Sequence, residues 1–144
     1  MPSLFTKIVN GEISCYKIAE TEDCLAFLDI LPLAKGHTLV IPKKEIDYLF
    51  DVEDKLFQNL WRFSKKVALS IEKTISCKRI GVAVVGLEVP HAHIHLIPLN
   101  KISDLNFANQ RLKFTNEEFS DIAKKIATTY INQHERETGF EPAT

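Results

Sequence analysis

The chain has 144 residues, the size of one domain that buries about two thirds of its unfolded surface. Apolar content of 45% and charged content of 26% fit a soluble globular protein, and a formal net charge of −1 excludes the basic footprint of a duplex nucleic-acid binder, so any phosphate site must be local. Three cysteines, Cys15, Cys24 and Cys77, without a Cys-x-x-Cys pair argue against a disulfide framework, and with no signal peptide or long apolar span the expected setting is a reducing cytoplasm, away from membranes.

Leu4, Phe5 and Ile8, following Pro2 and Ser3, are spaced for a short helix that Asn10-Gly11 ends. Tyr16 to Glu20 and Cys24 to Asp29 read as two strands around the polar turn Thr21-Glu22-Asp23, and His37 to Pro42 as a third with the apolar run of a sheet interior. Asp51 is expected to cap a helix reaching about Ile75, because Leu56, Leu60, Phe63, Val67 and Ile71 recur at steps of three or four. Arg79 to Val85 and His91 to Leu99 supply strands four and five. From Thr115 to about residue 137 a second long helix is expected: Thr115 and Glu118 make a capping box, and Phe119, Ile122 and Ile126 form its apolar stripe. No linker, repeat or low-complexity stretch divides residues 1–144, so the reading is a single α+β domain with an antiparallel sheet.

Pro90-His91-Ala92-His93-Ile94-His95-Leu96-Ile97-Pro98 holds three of the five histidines, alternating with apolar residues. That is the period of a strand, so the three imidazoles should share one face while Ala92, Ile94 and Leu96 enter a core. Two neighbouring imidazoles suit one metal ion, but His91 and His95 are about 13 Å apart along a flat strand, at roughly 3.3 Å per residue, which leaves the third histidine over. Covalent catalysis uses all three: the central imidazole attacks while its neighbours bind charge or fix its tautomer.

The run His91-Ala-His93-Ile-His95-Leu-Ile resembles the His-x-His-x-His motif of the histidine triad nucleotide-binding hydrolases. A second block resembles that family's other recurrent segment, in the same order: Cys24-Leu-Ala-Phe27-Leu-Asp29-Ile30-Leu-Pro32, then Lys35-Gly36-His37-Thr38-Leu-Val-Ile41-Pro42-Lys43-Lys44. With the opening Leu4-Phe5-Thr6-Lys7-Ile8-Val9-Asn10-Gly11-Glu12-Ile13, the likeness covers residues 3 to about 99. It implies the family's fold, a five-stranded antiparallel sheet with two main helices, and its Hint-like branch.

In this resemblance His93 matches the attacking histidine, His91 and His95 flank the phosphate and orient the nucleophile, and His37 matches a fourth histidine near the phosphate. Asp29, otherwise a strand-end carboxylate, is placed on the ribose hydroxyls. Leu4, Phe5, Ile8, Phe27 and Ile30, ordinary core residues by themselves, match the apolar slot for a purine. His134 stands among charges late in the last helix and is expected to be solvated. Two departures are visible. Where many bacterial relatives carry cysteines that help bind a structural zinc, this chain has Ser3 and Thr6, poor zinc ligands, so no metal and no cofactor is expected. Before the triad, where the family has Gly-Gln-Ser or Gly-Gln-Thr, it has Gly86-Leu87-Glu88, which puts Glu88 at the leaving-group side.

The expected protein is a homodimeric hydrolase that cleaves at the α-phosphate of a purine nucleoside 5′-phosphate derivative. The derivative is a phosphoramidate or a dinucleoside polyphosphate, the intermediate a nucleotidyl-histidine, and the product a nucleoside monophosphate. A nucleotidyltransferase fits less well, since such relatives carry Gln where His95 stands. The other readings are a nucleotide- or partner-binding module with vestigial catalysis and a His-ligated metalloprotein.

Overall fold

The computed structural model describes residues 1–135. The expected α+β fold is observed: five antiparallel strands form one sheet. The short helix α1 is Leu4–Val9, and β1 (Lys17–Glu20), β2 (Cys24–Leu28) and β3 (Thr38–Pro42) follow. The long helix α2 (Asp54–Thr74) precedes β4 (Arg79–Ala83) and β5 (Ile94–Leu99), and α3 (Asn116–Tyr130) runs into a π-helical turn, Ile131–Glu135. The strand order is β1-β2-β3-β5-β4, so β1 and β4 are the edges.

Register decides which face each residue joins, because residues directly opposite in an antiparallel ladder lie on the same side. Ala26 pairs with Val40 and Val40 with Ile94; Leu28 pairs with Thr38 and Thr38 with Leu96. This face carries the main core, where the sheet meets Leu60, Val67 and Ile71 of α2 and Phe119, Ile122 and Ile126 of α3. Each of these large side chains contributes about 1.5–3 kcal/mol on burial. On the opposite face Phe27 pairs with Leu39 and Leu39 with His95, and a smaller core of Phe5, Leu25, Phe27, Leu39 and Ile41 is covered by α1.

Several boundaries differ from expectation for local reasons. The cap of α2 is Glu53, whose carboxylate accepts from the N–H of Leu56 at 2.8 Å. Asp51 instead closes a 3₁₀ turn, Leu49–Asp51. Leu49 and Val52 are both buried, which holds Val52 extended and delays the helix by two residues. β4 ends at Ala83 rather than Val85, and β5 begins at Ile94 rather than His91, because the Ala92 N–H leaves the ladder to donate to the carbonyl of Ile46 at 2.7 Å. The capping box of Thr115 and Glu118 is formed as expected. Residues 136 and 137, the end expected for this helix, lie outside the described residues. His134 is buried, not solvated, with its ring 5.0 Å from that of Tyr130; it stands four residues beyond Tyr130 and extends the stripe Phe119, Ile122, Ile126, Tyr130 by one more step.

Candidate active site

His37, His91, His93 and His95 are brought together on the α1 face of the sheet. Only His95 is inside a strand, opposite Leu39 on one side and Ala83 on the other. The alternation nevertheless extends beyond β5: Ala92, Ile94 and Leu96 are all buried in the helix-side core, while the rings form a continuous row. His93 stands 5.0 Å from His95, His37 is 5.2 Å from His95, and Phe5 lies edge-on at 5.9 Å from His91 and 5.0 Å from His93. His37 and His91 are fully buried, and His93 and His95 nearly so, at 7% and 8% exposure.

Hydrogen bonds assign the tautomers. His93 Nδ1–H donates to the carbonyl of His91 at 2.7 Å, which leaves the lone pair on Nε2. His37 Nδ1 accepts the Leu33 N–H at 3.0 Å, so its proton sits on Nε2 and is donated to His95 Nδ1, also at 3.0 Å. His95 therefore carries its own proton on Nε2. His91 Nε2–H donates to the Pro42 carbonyl at 2.8 Å, and its Nδ1 accepts from the Ser3 hydroxyl at 2.9 Å, with the Thr6 hydroxyl at 3.3 Å. Burial disfavours the charged forms. It pulls His37 down to about 3, helped by His95 and Arg111, and His95 down to about 4, helped by His93 and Arg111. His91 is lowered by the same cause, against the opposing effects of Pro42 and Glu45.

Asp29 follows β2, half-buried. Its Oδ1 accepts the Leu31 N–H at 2.8 Å and its Oδ2 lies 3.5 Å from His37 Nε2. Burial raises its pKa, and the charge of Glu88 adds to the rise; the Leu31 N–H, Arg111 and His93 oppose it. Glu88 is itself exposed. Among the five expected base-pocket residues, Phe5 and Phe27 are buried edge to face at 5.6 Å and Ile8 packs against them. Leu4 and Ile30 are not core: they are 47% and 64% exposed.

Loop residues that no spacing in the sequence singled out complete the surroundings. The Phe107 ring lies 4.9 Å from His95, and the Arg111 guanidinium stands 5.6 Å over Phe107 while donating to the Leu31 carbonyl at 2.6 Å. Glu45 accepts from the Ser3 backbone N–H and from the Thr6 hydroxyl. Those bonds hold its carboxyl down to about 2.

Asp29, His37 and His95 place ligand atoms within 4.8 Å of one another, but both nitrogens of His37 are committed, one to Leu33 and one to His95, and a ligating Nε2 would have to lose its proton. Ser3, Thr6, Glu45 and His91 converge as two hydroxyls, a carboxylate and one imidazole already bonded to one another, a donor set unlike the thiolates and imidazoles that zinc prefers.

A model of the HIT domain matches residues 10–102. The chain belongs to the HIT family. An uncharacterized HIT-like protein of Borreliella burgdorferi is 34% identical over 86% of this chain and 95% of its own length. The adenosine 5′-monophosphoramidase hnt1 of Schizosaccharomyces pombe is 38% identical over 68% of this chain and 74% of its own. The crystal structure of a Hit-like protein of Bartonella henselae superposes with a TM-score of 0.78 at 30% identity, covering 88% of this chain and 95% of that one. The HIT fold expected from the triad and the Cys24 to Lys44 block is the fold observed.

Proposed function

We propose that this HIT protein is a hydrolase acting at the α-phosphate of a purine nucleoside 5′-phosphate derivative, through a nucleotide bound covalently to His93. The observation that carries the reading is the 2.7 Å hydrogen bond from His93 Nδ1–H to the His91 carbonyl, because it leaves the lone pair of the ring on Nε2. Nε2 of His93 bonds to phosphorus as the bond to the leaving group breaks. Water then displaces the imidazole, releasing the nucleoside monophosphate and restoring the lone pair. His95, with its proton on Nε2 and Nδ1 held by His37, donates to a phosphoryl oxygen, the kind of fixed donor that stabilises developing charge.

Asp29 Oδ2 accepts from ribose hydroxyls, and Leu4, Phe5, Ile8, Phe27 and Ile30 wall the base. Exposure of Leu4 and Ile30 agrees with that role, since apolar side chains open to solvent are available to a ligand. The phosphoramidase activity named for the S. pombe relative favours an amine leaving group; a dinucleoside polyphosphate shares the same α-phosphate. Free Cys15, Cys24 and Cys77 accord with a reducing cytoplasm. Assembly as a homodimer is favoured by edge strand β4 and the segment after it, where Val82, Val84 and Val85 are exposed. A binding module with vestigial catalysis is the second reading. It draws on Glu88, whose charge stands near Asp29 where an anionic substrate must enter.

Reaction with an adenosine 5′-phosphoramidate quenched in alkaline denaturant, followed by peptide mass spectrometry without acid treatment, should find the adenylyl group on His93. His93→Ala should abolish turnover while AMP still binds. Turnover of the variant equal to that of the parent would sink the covalent mechanism.

A further inference from the structure

Glu45 follows β3, outside both blocks that carry the histidines, yet it is the point where three elements of the site are tied together. One oxygen, Oε1, accepts the Ser3 backbone N–H and, at 2.7 Å, the Thr6 hydroxyl. Ser3 is the N-cap of α1: its hydroxyl oxygen accepts the Thr6 N–H at 3.0 Å. The Ser3 hydroxyl proton then goes to His91 Nδ1, because His91 Nε2 already spends its own proton on Pro42. The His91 carbonyl in turn receives Nδ1–H of His93. The same loop grips the next residue as well, through the bond from the Ala92 N–H to the Ile46 carbonyl. A second route leads to the same ring: α1 carries Phe5, edge-on to His91 and His93, so whatever holds α1 in place also sets the wall against which His93 rests.

We propose that Glu45 is a positioning residue for His93, acting through Ser3, Thr6 and His91 to hold the carbonyl that fixes the attacking tautomer. The proposal rests on the reading of His93 as nucleophile. Because Glu45 is exposed, water competes for its oxygens and its bonds contribute little to net stability; their effect is on geometry. Partners that orient a reacting or ligating group from behind typically change activity 10- to 100-fold, and small misplacements of a nucleophile cost as much.

The test compares parent, Glu45→Ala, Glu45→Gln, Thr6→Val and the double variant Glu45→Ala/Thr6→Val on an adenosine 5′-phosphoramidate under single-turnover conditions. Glu45→Ala should lower the rate constant for nucleotide transfer to His93 about 10- to 100-fold, with KM within about twofold. Glu45→Gln, whose amide oxygen accepts the same two donors, should recover most of it. Thr6→Val should slow the same step, and the double variant should be no slower than Glu45→Ala alone, since both cut one chain. A role confined to stability would reduce the amplitude of active protein and leave the rate constant alone; that result, additive effects of the two substitutions, or Glu45→Ala within twofold of parent would overturn the proposal. If Glu45→Ala fails to fold, Glu45→Gln and Thr6→Val carry the same comparison. A readout independent of turnover separates the proposal from the reading it rests on. By NMR, the His93 Nδ1 proton should exchange slowly in the parent and faster in Glu45→Ala and Thr6→Val. Faster exchange in a parent background that shows no turnover would reject His93 catalysis and keep the positioning role; unchanged exchange would reject the positioning role.

Discussion

His37 donates from Nε2 to Nδ1 of His95 across 3.0 Å, so a residue just before β3 sets the tautomer of a residue within β5. Both rings must be neutral for this bond to exist in its present sense. Burial keeps them so, holding His37 near 3 and His95 near 4.

That neutrality predicts a pH dependence of stability. The folded values lie below the unfolded value of about 6.5, so the unfolded chain binds more protons below pH 6.5. Stability is complete above the unfolded value and falls as pH drops toward the folded ones. Each ring adds a slope of about 1.4 kcal/mol per pH unit once its unfolded form is protonated. Urea unfolding at about pH 7.5 and pH 5, a window above most carboxylates, should reveal the loss. His37→Asn, which keeps an acceptor for Leu33 and cannot titrate, should flatten it; an unaltered slope would mean that His37 is not held neutral by the fold.

Gly36 supports His37 from the preceding turn. It has φ of +91°, and an added Cβ would lie 2.9 Å from Cγ1 of Ile75. Gly36→Ala should destabilise the fold by about 1–3 kcal/mol and lower activity by shifting His37. Gly11, at φ +80° with no neighbouring atom within 4 Å of where a Cβ would stand, supplies the control: Gly11→Ala carries the backbone penalty alone and should cost less in denaturant midpoint.

Metal content follows from the donor atoms. With Ser3 and Thr6 hydroxyls bonded to His91 and Glu45, the purified protein is expected to carry no stoichiometric zinc, and chelator should leave activity intact. Elemental analysis giving one zinc per chain would overturn this.

Exposed Val82, Val84 and Val85 at and beyond the β4 edge make a dimer the expected assembly. Light scattering at micromolar concentration should give twice the chain mass, and Val82→Lys should shift it toward the monomer. A monomeric parent would count against the assembly.

Glu88 tests leaving-group choice. An ionised carboxylate accepts hydrogen bonds without donating them and repels an anionic phosphate chain. Glu88→Ser should therefore raise the rate on a dinucleoside polyphosphate more than on a phosphoramidate. An unchanged ratio would assign Glu88 to the surface.

The alternation from His91 to Leu96 was enough, by itself, to place the imidazoles on one face and Ala92, Ile94 and Leu96 in the core, because side-chain direction along an extended chain depends only on parity. The step of three and four from Leu56 to Ile71 did the same for α2, and the capping box marked the start of α3. Local rules stop where partners are distant in sequence. Burial of Leu49 and Val52 moved the cap of α2 from Asp51 to Glu53, and continuation of the Tyr130 stripe buried His134. Nothing in the spacing of Glu45, Phe107 or Arg111 connects them to the triad; folded contacts do, Glu45 through Ser3 and Thr6 of the α1 end, Phe107 through the His95 ring and Arg111 through Phe107 and the Leu31 carbonyl. The tautomers of His91 and His95 were decided by tertiary contacts, since the carbonyl of Pro42, the hydroxyl of Ser3 and the ring of His37 reach them from other segments of the chain, whereas His37 and His93 are set by the nearby Leu33 N–H and His91 carbonyl in the folded backbone. A histidine's sequence neighbours choose the face it occupies, but the nitrogen that bears its proton is chosen by whichever donor or acceptor the fold sets beside it.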